Sequence, residues 1–419
     1  MSIRTLKNFF KRKQNIPQYN SQKISWQKFR TNKLALCGLM IIGLAVLISI
    51  LGYWITPDHS PDCNEQILEI STKKPGFRVK MLMVRKNKKI EPGNFFSKMF
   101  TGQENLFIPV PINSYRFKND QIEVERYSEL KNETFRENYS LADVLYPLAY
   151  NVPVIKDQHG RLIFKDIDNK QHVETIKNLQ ERIQKENIVS KTFYLGTDRF
   201  GRDLLSRLLI GTRISLSVGF ISVLISLIIG IGLGALAGYF KGWVDNIIMW
   251  LINVVWSIPT LLMVIAITLV LGKGFWQIFI AVGLTMWVEV ARVVRGQVLG
   301  IREKEYVEAA RALGYSNKRI ILKHIIPNVF DPVIVISAGN FASAILIEAG
   351  LSFLGIGIQP PVSSWGNIIK DHYGYIIVDS AYLAIIPGLA IMIMVLAFTL
   401  VGNGLRDTLD TKGVNNTGV

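Results

Sequence analysis

Residues 34–55 read LALCGLMIIGLAVLISILGYWI, 22 residues without a charge. As a helix rising about 1.5 Å per residue, this run is long enough for a hydrocarbon core of about 30 Å. A secretory signal would carry a shorter apolar stretch of about 7–15 residues and then a small-residue cleavage site. Here the run ends in Tyr53, Trp54 and Ile55, with Pro57 close behind. It reads as a retained anchor, which makes the chain a membrane protein.

Charge orients the anchor. The chain has 419 residues, 49% of them hydrophobic, and a formal net charge of +16. Residues 1–56 hold nine Lys/Arg and no Asp/Glu, more than half of that excess. A basic tail ahead of the first span places the N-terminus in the cytoplasm and argues against a nucleic-acid face. Two cysteines, Cys37 and Cys63, leave no room for a disulfide framework or a Cys-rich metal site. The five histidines are not paired at ligand spacing, so no metal or cofactor is expected.

Further apolar runs cover residues 214–240, 247–272 (interrupted by Pro259), 276–290, 333–354 and 381–405. The turn at Lys241 and Asp245 is inner, Lys273 marks an outer return, and residues 292–331 form an inner segment with eight Lys/Arg. An outer loop holds residues 359–380. Six spans with both termini cytoplasmic satisfy the charge rule at every short loop. In the second span Gly230, Gly234 and Gly238 repeat at four-residue spacing, which suits close helix packing.

Between the first two spans lie about 155 residues that must be outside. Residues 58–193 read as an inserted α+β domain. The residues around 77–86 alternate like a strand. Residues 114–118 and 121–127 pair through Asn119-Asp120, and residues 154–155 and 162–164 form a second hairpin. Ser140 with Asp143 reads as a capping box, and residues 173–188 as a polar helix supported by Glu181 and Lys185. Asn132-Glu133-Thr134 and Asn138-Tyr139-Ser140 fit the glycosylation sequon, which matters only in a eukaryotic secretory context.

The inner segment is the most informative. Residues 306–328 read YVEAARALGYSNKRIILKHIIPN. A helix over 304–313 is expected, with Gly314 at a left-handed C-cap and Ser316 capping a second helix that stops before Pro327. Such a helix–turn–helix at the inner face can transmit a push from a partner. The plainer reading is a solvated amphipathic loop.

This run resembles the EAA signature of bacterial ABC importer permeases. Glu308, Ala309, Ala310, Gly314 and Pro327 match, Ile326 replaces a Leu, and His324 is the form associated with the peptide branch. Residues 195–207, LGTDRFGRDLLSR, followed by Gly211-Thr212-Arg213, are similar to the segment before span two in the C-type permease of dipeptide and oligopeptide importers. Phe29-Arg30-Thr31-Asn32-Lys33, Gly350 to Gly355, Pro360-Pro361 and Ser364-Trp365-Gly366 agree. The resemblance covers residues 26–56 and about 193–408. It departs from the family at the outer insertion, which in typical members is a few tens of residues.

The resemblance implies an all-α polytopic membrane protein with six transmembrane helices, the ABC type I importer permease fold, carrying the extracytoplasmic insertion between helices 1 and 2. The parts are a basic tail (1–33), helix 1 (34–56), the insertion (57–193), the permease core (194–408) and a cytoplasmic tail (409–419). The implied location is the bacterial inner membrane. The implied partners are a homologous second permease, two ATP-binding cassette ATPases and an extracytoplasmic binding protein, with Glu308–Gly314 as the coupling turn. The chain is expected to be no enzyme, because no G-x-x-x-x-G-K-[ST] phosphate loop occurs in it.

Polar residues in the spans are candidates for the path or for contacts between subunits: Glu348, Asn340 and Asn253, with Asn403 read as an interhelical hydrogen bonder. Glu348 stands open between path lining and the sister permease. Glu289 is expected to pair with Arg292. Pro259 and Pro387 read as hinges or kinks. Asp198, Arg202 and Asp203 read as capping an amphipathic helix on the outer surface, or as gate residues. The cargo expected is peptide. Nickel or oligosaccharide is the alternative within the family, and a membrane-anchored sensor using the outer domain is the alternative outside it.

Overall fold

The computed structural model describes residues 28–91, 93–129, 135–150, 152–272 and 274–409. The basic tail up to residue 27, Lys273, the sequon at Asn132 and the tail from residue 410 lie outside the described residues.

The anchor is helix α1 (Lys33–Ile55). The Asn32 side chain caps it by accepting the Ala35 N–H at 3.1 Å. It stops at Thr56, the residue before Pro57, where helical backbone is disfavoured.

After α1 the chain forms β1 (Phe77–Arg85), α2 (Phe95–Thr101), β2 (Phe107–Lys118), β3 (Gln121–Arg126), β4 (Arg136–Ser140) and α3 (Leu141–Leu145). Then come β5 (Ile155–Lys156), β6 (Arg161–Lys165), β7 (Gln171–Thr175), α4 (Ile176–Arg182) and β8 (Ile188–Phe193). One antiparallel sheet runs β4-β3-β2-β1-β8 and a second runs β5-β6-β7. Between them, Leu82, Val110, Ile122, Leu141, Phe164 and Leu179 form one buried core. Both expected hairpins are present, with Asn119 left-handed at its turn.

Two local expectations fail. Residues 173–188 are not one helix. Their first residues alternate and pair with β6, α4 is capped by Thr175, and a wide π turn precedes β8. β4 and β8 carry a weaker alternation than their neighbours and are held by pairing. The capping box does not close: Ser140 sits at the N-cap without a side-chain bond, and Asp143 accepts from Asn87 at 2.8 Å.

The membrane part comprises α5 (Leu204–Phe240), α6 (Gly242–Trp256), α7 (Thr260–Leu271), α8 (Phe275–Ile301), α9 (Glu305–Ala312), α10 (Asn317–Ile320), α11 (Phe330–Phe353), α12 (Trp365–His372) and α13 (Tyr382–Leu409). Among the described residues, five helices are long and apolar enough to cross a membrane: α1, α5, α8, α11 and α13. A sixth span exists only if α6 and α7, which meet at 93°, count together. Pro259 explains the break. It takes a non-helical backbone at the N-cap of α7, so the interruption is a corner rather than a kink. Pro387, by contrast, lies inside α13.

Two spans extend furthest beyond their apolar runs. α5 starts ten residues early because Asp203 caps it there, and α8 continues to Ile301 beneath the apolar stretch. α5 and α8 meet along the glycine stripe: a Cβ on Gly230 would stand 2.5 Å from Val290 Cβ, and one on Gly238 would stand 2.8 Å from Val298 Cβ. Small residues there let the two backbones approach.

Candidate functional site

The inner unit is built on the extended end of α8. Val307 and Ala310 of α9 are buried against Val298, Ile301, Ile320 and Ile325. The opposite face, with Glu308, Ala309 and Arg311, is exposed. Gly314 has φ +75°, the left-handed conformation expected of it. Its N–H bonds the Arg311 carbonyl at 3.0 Å and the Tyr315 N–H bonds the Ala310 carbonyl at 3.1 Å. This bond pair is the Schellman closure of α9. Ser316 Oγ accepts from the Arg319 N–H at 3.4 Å, which starts α10.

α10 is shorter than expected. A π turn over Ile321–Ile325 and a 3₁₀ turn over Ile326–Asn328 follow it. Pro327 lacks an N–H and its ring crowds the preceding turn, so regular α bonding cannot run through. The unit is tied to the membrane helices by polar contacts. Tyr239 Oη of α5 donates to Asn317 Oδ1 of α10 at 2.7 Å, and Lys241 pairs with Glu303 at 2.9 Å; beside them Arg295 of α8 grips Asp245 of α6 with two bonds. Leu313, beside the turn, is 73% exposed. An exposed leucine on an otherwise anchored unit was not singled out from sequence, because one apolar residue at a helix end carries no periodic signal.

A cavity of about 660 Å³ opens between α8, α11 and α13, and Glu289, Gln297, Asp331, Asn340, Asn403 and Arg406 line it. Asn340 is nearly fully buried and its Nδ2 finds no partner among the described residues. A second cavity of about 310 Å³, between α6, α7, α8 and α11, shares Glu289. The expected Glu289–Arg292 pair is not formed. Arg292 stacks its guanidinium over the Trp256 ring at 3.4 Å, leaving Glu289 to the cavities. Glu348 lines neither cavity and is not on the surface. It is fully buried, accepting from Ser352 Oγ at 2.7 Å. Asn253 is exposed on α6.

Asp198, Arg202 and Asp203 do come together, but not on a surface helix. Asp203 caps α5 itself by accepting the Ser206 N–H at 2.9 Å. Asp198 accepts from the Phe200 N–H, the Arg202 N–H and Arg202 Nε, the last at 2.6 Å. Arg202 reaches Asn64 at 2.9 Å and Asp371 at 3.6 Å, and Arg207 lies 3.8 Å from Asp198. All three expected residues are at most 3% exposed. Burial pushes the Asp203 carboxyl above the usual carboxylate range, and does the same to Glu65 nearby. Asn64, Asp371 and His372 complete this seam; they are distant in sequence and no local pattern links them.

Residues 230–412 match the family described as binding-protein-dependent transport system inner membrane component, and residues 22–75 match the N-terminal TM domain of oligopeptide transport permease C. The chain is 41% identical to a glutathione transport system permease protein of Pectobacterium atrosepticum over 223 residues, 53% of this chain and 74% of that one. The chain belongs to this transport permease family. A dipeptide transport system permease protein of Alkalihalophilus pseudofirmus is 40% identical, with 53% of this chain and 73% of that one covered. An oligopeptide transport system permease protein of Haemophilus influenzae is 43% identical over 52% of this chain and 70% of that one. Among solved structures, an inward-facing methionine ABC transporter aligns with TM-score 0.41 and 19% identity, covering 49% of this chain and 97% of that one. As a member of the family, the chain is a multi-pass inner-membrane permease subunit, a transport component of an ABC importer. The two family matches contain the α9 turn, the cavity lined by Asn340 and the residues that directly follow α1. Residues 76–229, with most of the insertion, fall between them.

Proposed function

We propose that this permease imports dipeptides or oligopeptides, pairing with a homologous second permease above two ATPase subunits and receiving cargo from an extracytoplasmic binding protein. Both termini are cytoplasmic, and residues 57–193 form an extracytoplasmic α+β domain between helix 1 and the permease core of 194–408. The relatives named for glutathione, dipeptide and oligopeptide transport support the cargo. ATP is hydrolysed in the partner subunits, not in this chain.

The observation that carries the reading is the α9 turn. Glu308, Ala309 and Gly314 lie on an exposed ridge with Leu313 at its tip, while Val307 and Ala310 root the same helix in the membrane part. A ridge anchored on one face and open on the other suits a cleft on an ATPase. Asn340, with Glu289, Asn403 and Arg406, lines the path in the proposed cavity, where both signs of charge face a zwitterionic peptide. Reconstitution with both ATPases and the second permease tests this. Gly314→Leu is expected to insert and assemble normally yet abolish ATP-driven peptide uptake; full uptake would overturn the coupling role. A wild-type complex that moves nickel or an oligosaccharide but no peptide would overturn the cargo.

A further inference from the structure

The short helix α2 packs beside the last turns of α1. Phe95 meets Trp54 of α1 edge-on, with ring centroids 4.7 Å apart, and Phe95 and Phe96 are 5.5 Å apart. Arg213 of α5 fixes the helix. Its Nη1 donates to the Phe100 carbonyl at 2.7 Å, its Nη2 to the Met99 carbonyl at 3.1 Å, and its Nε to the Ser49 carbonyl of α1 at 2.9 Å. One guanidinium thus satisfies the open carbonyls at the end of α2 and ties them to two spans. The level is set by Ser49 and Trp54, the last turns of α1 before Thr56.

What α2 shows outward is apolar. Phe95, Phe96 and Phe100 are all exposed, Phe96 by 71%. In a soluble domain three neighbouring exposed phenylalanines would be a liability. Here they continue the outward face of α1, where Leu47, Ile50 and Trp54 are exposed as well. That face belongs to a span whose most apolar window is only 17% buried within the chain. The continuity selects the occupant, because whatever covers Leu47 and Ile50 also covers the phenylalanines. Aromatic rings at the end of a span suit the headgroup boundary.

We infer that α2 is an interfacial anchor, lying flat at the headgroup boundary beside the end of α1 with Phe95, Phe96 and Phe100 in lipid. It holds the insertion close to the bilayer on the side where α1 ends. The partner is the phospholipid surface, and recognition is by apolar burial rather than by a specific headgroup.

The test uses the full chain in phospholipid vesicles, in a Cys37→Ser background, with an environment-sensitive fluorophore on Phe96→Cys. Leu47→Cys gives the lipid reference. Tyr150→Cys, at a residue 93% exposed in the same insertion, gives the water reference. The Phe96 site is expected to be quenched by a phospholipid spin-labelled near its ester end, severalfold more than the Tyr150 site. It should resist iodide as the Leu47 site does. Quenching by iodide equal to that at Tyr150 would put the face in water and overturn the anchor. Protection from both quenchers would mean that protein covers the helix, and would overturn it equally.

Discussion

The α9 turn and the seam at the start of α5 both depend on a glycine in the left-handed conformation, and the two glycines serve opposite ends. Gly314 has φ +75° and a Cβ there would meet nothing within 4 Å. Gly201 has φ +71° and its Cβ would stand 1.7 Å from the Ile67 carbonyl oxygen. The first is required only by the backbone, in a place left open. The second is required by space, where residues 195–207 clasp the root of the insertion. Thr72 and Ile67 there bond the Asp198 and Phe200 carbonyls. The difference separates a turn that faces open space from a joint internal to the chain, although the sequence marks both with equally distinctive motifs.

The strongest way to break this comparison is to remove the charge at the joint. Asp198→Ala leaves Arg202 and Arg207, each 3% exposed, without their shared carboxylate. Orphaning a buried charge costs about 3–5 kcal/mol. Thermal melting of the purified chain in detergent should therefore fall sharply for Asp198→Ala. Glu308→Ala, on the open face of α9, should change stability by less than about 0.5 kcal/mol. Equal melting of the two variants would mean that the seam carries no structural load.

The glycines give a finer division. Gly201→Ala combines a backbone clash with left-handed strain, and about 3 kcal/mol of destabilisation is expected. Gly314→Ala meets only the conformational penalty, about 1 kcal/mol. Asparagine tolerates this conformation better, so Gly314→Asn should retain more ATP-driven uptake than Gly314→Leu at the same membrane level. If Asn and Leu are equally inactive, the turn needs the absence of a side chain rather than its φ, and the contrast with Gly201 disappears.

Much of this was legible in the sequence, for stated reasons. A span announces itself by a continuous apolar run, and a Schellman cap by a glycine after a periodic helix; α1 and Gly314 lie where they were expected. Other features depend on pairings that no window contains. β8 is a strand because β1 lies beside it. Arg292 stacks on Trp256, the last residue of α6, a contact between helices that periodicity in α8 could not reveal. A carboxylate in a span is rare, so Glu348 reads as lining the path or meeting the sister permease; within the chain it is fully buried and accepts from Ser352, one turn away. Asp198, Arg202 and Asp203 stand as a motif, but the partners of Arg202 are remote in the chain: Asn64 lies 138 residues before it and Asp371 lies beyond α11. Motifs marked the places that matter, and packing determined what happens there.

The smallest expected effect sharpens the comparison through pH. His372 sits in the seam, nearly fully buried, with its ring between two backbone groups. Nδ1 donates to the Ile368 carbonyl at 2.7 Å, so Nε2 is free to accept the Arg199 N–H at 3.3 Å. Both contacts suit the neutral ring; a second proton would set Nε2–H against N–H. Burial lowers the pKa from its ordinary 6.5, and Arg207 adds to this, while the Ile368 contact and the carboxylates of Asp198 and Asp371 oppose it. Between the lowered value and 6.5 the unfolded chain binds more protons, so stability rises with pH across that window. The contribution is complete above about pH 6.5 and is lost as pH falls toward the folded value. Asp203 and Glu65, raised by burial, have the opposite slope. His372→Gln keeps hydrogen-bonding capacity without titrating. Between pH 7.5 and pH 6, the melting temperature of the unsubstituted chain should therefore fall more than that of the variant, by roughly a degree or two. The Gly314→Ala variant, whose site is remote from the seam, should track the unsubstituted chain at every pH. Parallel curves for His372→Gln and the unsubstituted chain would show that the imidazole is not held neutral by the joint.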